Sequence, residues 1–310
     1  MKKILIILLI GVFLFAGCGI KNRTSNKHTI IVTNYPCYDI ARALTKDTNI
    51  EVKMLLKPGS EIHDFEPTPQ DIINIQKSGM FIYVGGESDE WINDVLKDID
   101  TSNTKLVKLV DLVDLKEEEI VEGMESDEEE DEEETEYDEH VWTSPKNVIT
   151  IINKIKDDVI KIDESKKDTI NNNAESYINE LNIIDSKIQE VVNNSKRKVL
   201  VFGDRFPLRY FVDEYGLSYY AAFPGCSEQT EASAKTISYL ITKVKKDKIP
   251  VVLKIELSTG NIANTIAKET KTKVLEFHSA HNITQEDFDN GVTYIDIMNK
   301  NIEVLKEALN

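Results

Sequence analysis

Apolar and polar positions along this chain follow two rhythms, and the rhythms take turns. Short β-branched or alternating runs predict strands at residues 29–33, 50–56, 80–84 and 105–110. Between them, residues 38–45, 68–78 and 89–98 carry apolar side chains at helical spacing. Thr68 ahead of Pro69 is a cap followed by a first-turn proline. Strands that alternate with helices predict an α/β fold built on a parallel sheet covered on both faces.

Residues 146–194 contain neither Gly nor Pro, and Ser144-Pro145 marks a helix start just before them. Val148, Ile151, Ile152, Ile155 and Val159, then Tyr177, Leu181, Ile184 and Ile188, recur at helical spacing. The run reads as two helices or one broken helix, and its second part, 168–194, is suited to joining two lobes. A second alternation follows, with strands at 199–202, 217–223, 250–255 and 272–277. Its helices fall at 207–215, closed by Gly216, and at 231–246, 260–270 and 291–309. The expected architecture is two lobes, each a mainly parallel sheet flanked by helices. The first spans 29–167, the linking helix 168–194 and the second lobe 195–310.

The N-terminus carries an address. Lys2-Lys3 precedes an apolar run from Ile4 to Phe15, followed by Ala16-Gly17-Cys18. That run is short for a membrane span. Residues 1–17 read as a signal peptide whose end resembles a bacterial lipobox, so that Cys18 becomes the lipid-modified first residue and 18–28 a polar tether. An ordinary signal peptide or a short anchor helix is the plain alternative. Cys37 and Cys226 then remain, and spacing alone leaves open whether they pair.

Charge changes the picture in one place. The formal net charge of the 310 residues is −18, yet residues 117–139 hold 16 acidic side chains and no basic one, leaving the remainder near −2. The acidity is therefore a local insert, and no basic face offers itself to a nucleic acid. The insert reads either as a solvated, self-repelling loop or as a weak cation collector, carboxylates being hard ligands.

Candidate chemistry lies with three of the five histidines. His63 follows the second predicted strand through the turn Pro58-Gly59. His140 sits in Asp138-Glu139-His140-Val141-Trp142, just before a helix start, and His278 ends the apolar run 274–277. In open α/β sheets ligands bind beyond the carboxyl ends of the strands. Three imidazoles at such edges point to one shared cation, because the neutral ring binds metal without adding charge. Each one alone reads as an ordinary surface histidine. Glu66 and Asp64 are candidates to hold the His63 ring through its second nitrogen. Trp142 either packs beside the site or simply fills the core, and His28 in the tether is expected to be inert. A zinc hydrolase using these histidines, with Glu256 or Asp204 as base, is the enzymatic alternative. The chain lacks His-Glu-x-x-His and a nucleophile elbow, so no enzyme is expected.

Two segments carry a resemblance. Residues 58–71, Pro-Gly-Ser-Glu-Ile-His-Asp-Phe-Glu-Pro-Thr-Pro-Gln-Asp, resemble the first metal-ligand motif of the zinc/manganese ABC-transporter substrate-binding lipoproteins, and residues 138–147 resemble the second. The likeness continues through Tyr215-Gly216-Leu217, residues 266–270 and the closing helix from Thr293, and so covers nearly all of 29–310. It implies two lobes joined by a rigid backbone helix with one metal between them, His63 and His140 being first-lobe ligands. Residues 274–278 align with the segment bearing the family's last ligand, commonly an aspartate. Here His278 takes that place, with His281 in reserve. Where most members have another histidine or a glutamate, this chain aligns Arg205, which cannot ligate a metal. Asp204, Glu256 or a water is left as the fourth ligand.

Three imidazoles with one oxygen suit tetrahedral Zn²⁺, whereas Mn²⁺ favours more oxygen ligands. The resemblance therefore implies an extracytoplasmic, lipid-anchored, monomeric zinc receptor at the outer face of a bacterial membrane, serving an ABC permease and its ATPase. A manganese receptor, or a surface adhesin with a structural metal, is the alternative.

Overall fold

The computed structural model describes residues 27–60, 65–124, 136–225 and 232–310. The expectations for His63, Cys18 with its signal peptide, and Cys226 lie outside the described residues, as does the stretch 125–135 of the acidic insert.

The first lobe is built on four parallel strands. They are β1 (Thr29–Val32), β2 (Glu51–Met54), β3 (Met80–Tyr83) and β4 (Lys105–Lys108), in the order β2-β1-β3-β4. β1 is buried along its whole length, as a β-branched strand covered on both faces should be. Helices α1 (Tyr35–Thr45), α2 (Pro69–Lys77) and α3 (Glu90–Asp98) make the crossovers. α1 begins three residues before the apolar periodicity does, because Asn34 caps it and Pro36 occupies its first turn. Thr68 and Asp71 form a reciprocal capping box at the start of α2.

The second lobe repeats the scheme. β5 (Val199–Val201) pairs with β6 (Ser218–Tyr220), and β7 (Val251–Lys254) pairs with β8 (Lys273–Glu276), all parallel. A bridge between Phe202 and Leu253 joins the two pairs, with Gly203 N–H donating to the Leu253 carbonyl at 2.9 Å. Both lobes thus run second-first-third-fourth across the sheet. Helices α6 (Arg209–Tyr215), α7 (Ala234–Asp247) and α8 (Asn261–Thr270) connect the strands. Gly216 closes α6 in the left-handed conformation, φ 62°. α9 (Gln285–Asp289), capped by Thr284, is a short helix with no counterpart in the sequence reading.

Between the lobes run α4 (Pro145–Ile162) and α5 (Lys167–Asn193). The break falls at Asp163, whose carboxylate accepts from the Ser165 amide and hydroxyl. The 27 residues of α5 extend about 40 Å. Ile170, Ala174, Tyr177, Leu181, Ile184, Ile188 and Val192 make its buried stripe. That stripe packs on α1, α4 and the closing helix α10 (Tyr294–Ala308). One continuous apolar core therefore runs from Ile30 and Val32 through Tyr177 and Leu181 to Leu253 and Phe277. A polar tie crosses it: Tyr177 donates to Asp39, and Arg42 donates to both Asp39 and the Val292 carbonyl.

The turn after β3 is shaped by a buried acid. The Asp89 carboxylate accepts from the amides of Val84 (2.7 Å) and Gly85 (3.0 Å) and is 3 % exposed. Burial pushes its pKa up to about 7, against the pull of those donors. An acid whose folded-state pKa is raised destabilises the fold once ionised. The penalty is absent below the ordinary carboxyl range and complete above the folded pKa. The protein is expected to melt lower at pH 8 than at pH 6. Asp89→Asn should remove about 2–4 °C of that difference, and thermal melts of both chains across this pH range check it.

Candidate metal centre

His140 enters the site on a turn that two neighbouring acids hold. Asp138 accepts from the His140 backbone amide at 2.8 Å and stands 3.2 Å from its Nδ1. With Nδ1 so engaged, the ring offers Nε2 as the nitrogen to be metallated. The Glu139 carboxylate turns the other way and accepts from the Ser88 amide (3.1 Å) and hydroxyl. Thr143 closes the turn by donating to the His140 carbonyl. His140 is 1 % exposed. Burial acts to lower its pKa, but Asp138, Glu139 and Glu118 outweigh burial and raise it.

The second lobe supplies its imidazole from the turn after β8. Ala280 adopts φ 62°, and this left-handed step carries the chain back toward the first lobe. Glu256, at the end of β7, organises the turn. Its carboxylate accepts from the Ser279 amide and hydroxyl (2.7 Å each) and from the His281 amide (3.0 Å). Burial would raise the Glu256 pKa, yet the His278 ring and the Ser279 donors hold it below the usual value.

The two imidazoles that meet are His140 and His281, with ring centroids 5.2 Å apart and planes at 84°. Trp142 lies against both, at 5.3 Å from His140 and 5.2 Å from His281. Its indole N–H donates to the Ser279 carbonyl at 2.9 Å, so the residue ties the first-lobe turn to the second-lobe turn. A crevice of ≈ 40 Å³ opens beside them, lined by Ser60, Arg205, Gly225, Glu256, Ser279 and His281 among others. That volume holds an ion or a water and little more.

The remaining expected residues are placed as follows. The His278 ring is engaged within its own turn, its Nδ1 3.5 Å from the Glu256 carboxylate. Its Nδ1 accepts from the Ala280 amide (2.9 Å), while its backbone amide and carbonyl are fastened to Asn301 of α10. Asp204 bridges the ends of β5 and β7, accepting from the Arg205 amide (2.9 Å) and the Ile255 amide (3.4 Å). Asp204 and Glu256, the carboxylates proposed from sequence for the fourth position, both accept from backbone amides, and Glu256 accepts from the Ser279 hydroxyl as well. Glu66 is exposed. His63 lies outside the described residues, but the chain leading to it does not. Asn282, next to His281, donates to the carbonyls of Ser60 (2.6 Å) and Lys57 (3.3 Å), and Gly59 N–H donates to the Ile283 carbonyl at 2.7 Å. The segment that carries His63 thus departs from the rim of the same crevice. Among the described residues no group of three or more His, Cys, Asp or Glu side chains converges; the convergence there is the His140–His281 pair.

An α/β chain of two like lobes thus brings an imidazole from each together beside a crevice between them, the architecture of a two-lobed binding protein. Residues 30–308 match the family described as zinc-uptake complex component A, periplasmic (ZnuA), and the chain belongs to that family. It is 32 % identical over 310 residues to the zinc-binding lipoprotein AdcA of Streptococcus pneumoniae, covering 99 % of this chain and 61 % of that protein. It is 28 % identical to the high-affinity zinc uptake system protein ZnuA of Bacillus subtilis, over 96 % of this chain and 97 % of that one. The Zn(II)-bound ZnuA-like domain of Streptococcus pneumoniae AdcA superposes with a TM-score of 0.74 at 29 % identity, covering 91 % of this chain and 98 % of the domain. The chain thus spans about three fifths of the streptococcal lipoprotein's length.

Asp138 is a residue that sequence reasoning passed over, although it stands two positions before His140. Asp138→Asn, which keeps the shape and weakens the acceptor, is expected to lower affinity for Zn²⁺ by about 10–100-fold. Competition titration against a chelator measures it.

Proposed function

We propose that this chain is an extracytoplasmic zinc receptor that captures the ion between its lobes and passes it to an ABC permease. His63, His140 and His281 are the proposed ligands, with a water or another oxygen completing the shell. The second-lobe ligand is thus the residue held in reserve at the sequence level, while His278 keeps a structural place on α10. The observation that carries the reading is the His140–His281 spacing of 5.2 Å. Two imidazoles bound to one tetrahedral zinc through nitrogens about 2.0–2.1 Å away have centroids about 5 Å apart. Nitrogen donors favour zinc over manganese, which seeks oxygen. An adhesive role is not favoured.

The similarity to zinc-binding lipoproteins supports the lipid anchor at Cys18, the permease and ATPase as partners, and the absence of catalysis; a monomer is the simplest state. No helix among the described residues is long and apolar enough to cross a membrane. Proposed boundaries follow the elements, with the first lobe at 29–167, the link at 168–194 and the second lobe at 195–310.

The discriminating experiment compares two alanine variants three residues apart. His281→Ala should weaken zinc binding by about 100-fold or more, a loss of nearly 3 kcal/mol. His278→Ala should stay within a few-fold of the parent chain. The reverse order would return the second-lobe ligand to His278, and no effect of either would remove the interlobe site.

A further inference from the structure

The two stretches flanking residues 125–135 belong to the first lobe in sequence but are fastened to the second. They pair with each other. Glu117 bridges Tyr137 in antiparallel fashion, the Glu118 amide donates to the Glu136 carbonyl at 2.9 Å, and the Asp138 amide donates to the Lys116 carbonyl at 2.9 Å. Tyr210 of α6 then pins both stretches with one hydroxyl, which donates to the Asp138 carbonyl at 2.8 Å and accepts from the Lys116 amide at 3.1 Å. Around this pin, Tyr219 donates to the Glu119 carbonyl (3.0 Å) and the Gly225 amide donates to the Glu118 carboxylate (3.0 Å). An ion pair joins Lys116 and Asp213 at 2.8 Å.

The pin is one residue removed from the proposed ligand's own support. Tyr210 fixes the backbone of Asp138, and the Asp138 side chain fixes the His140 amide and Nδ1. Tyr210 is 3 % exposed, and burial pushes its phenol up to about 12, so it stays a donor at working pH. Gly225 presses on the same imidazole from the second lobe: a Cβ there would stand 3.1 Å from His140 Cε1.

We infer that Tyr210 is a positioning residue for the metal centre: from the second lobe it clasps the roots of the acidic segment and, through Asp138, fixes the His140 ring, so that release of the cation requires this clasp to loosen. The inference rests on the proposed reading of His140 as a ligand. It makes the acidic segment's attachment part of the site, whatever its carboxylates collect. The clasp draws on both lobes, so a partner that displaces α6 would act on the ion without touching a ligand.

Tyr210→Phe deletes one oxygen from a packed ring, and the full chain carrying it can be compared with Tyr215→Phe, which removes a hydroxyl of the same helix bound to Asp185 at 2.9 Å, away from the clasp. Zn²⁺ release into a chelator is expected to be about tenfold faster in Tyr210→Phe, with a shifted Co²⁺ absorption spectrum; the Lys116 amide and Asp138 carbonyl lose their shared partner, and the apo melting temperature falls by about 2–4 °C, as it should in the Tyr215 control. Tyr215→Phe should release zinc as the parent does. In an Asp138→Asn background, Tyr210→Phe should add less than twofold, because both act on the same ring. Parent-like release and cobalt spectrum in Tyr210→Phe would overturn the inference, as would full additivity with Asp138→Asn. His140→Ala separates the two levels: if it abolishes binding while Tyr210→Phe is silent, the site stands and the clasp falls. If His140→Ala binds zinc normally, the site itself is wrong.

Discussion

The two imidazoles are held in register by a hydrogen bond between lobes, from the Trp142 indole to the Ser279 carbonyl. Trp142 is wholly buried, so no solvent replaces that acceptor if the turns part, and a buried donor left unsatisfied costs about 1–3 kcal/mol. The Trp142 carbonyl is fixed in turn by the Tyr294 hydroxyl at 2.8 Å, which anchors the residue to the first turn of α10. Everything else at the site is arranged about this strut. Asp138 and Glu139 set the turn before it, Glu256 and Ala280 set the turn it touches, and the two imidazoles meet the indole at 61° and 53°.

The same strut limits how the lobes move. The apolar core passes without interruption from the first sheet through α5 to the second, and Asp39, Arg42 and Tyr177 tie α1 to α5 and to the chain before α10. Domains joined through a large apolar interface do not swing freely, because opening would expose it. A swing of one lobe against the other would break this continuous core. Asn282 couples the turn of His281 to the chain entering His63, since its side chain holds the Lys57 and Ser60 carbonyls.

How far the sequence could be read depended on whether the determining contact was local. The caps at Thr68 and Ser144 and the left-handed Gly216 are written in neighbouring residues, and the elements they bound follow the sequence reading closely. The alternation of rhythms likewise carried the two-lobed α/β architecture. The meeting of His281 with His140 was not local. It turns on a left-handed Ala280, a conformation that alanine does not advertise, and on Glu256 reaching across from β7 to hold the turn. Nothing nearby in sequence reveals the backbone amides that Asp204 and Glu256 accept from, either. Tyr210 meets Asp138 across 72 positions, and α9 is only five residues long, so neither leaves a periodic signal.

The division of labour among side chains bears on how an ion can be both held and surrendered. In the proposed site the carboxylates stand one bond back: Asp138 behind His140, and Glu256 behind the turn of His281. Neutral nitrogens then face the ion, and Asp138 beside the His140 ring raises that ligand's basicity without setting a hard oxygen on the ion. A hard first shell would favour the abundant oxygen-seeking cations over zinc. Arg205, on the wall of the same crevice, brings positive charge to the side where a further ligand would otherwise stand. A cation that leaves this site therefore breaks bonds to neutral rings, while Glu256 on the crevice wall keeps its hydrogen bonds to the Ser279 and His281 amides. The barrier to departure is set by how rigidly those rings are aimed. In this fold that is the work of Trp142 and Asp138, the two residues flanking the ligand turn, each hydrogen-bonded to the opposite lobe.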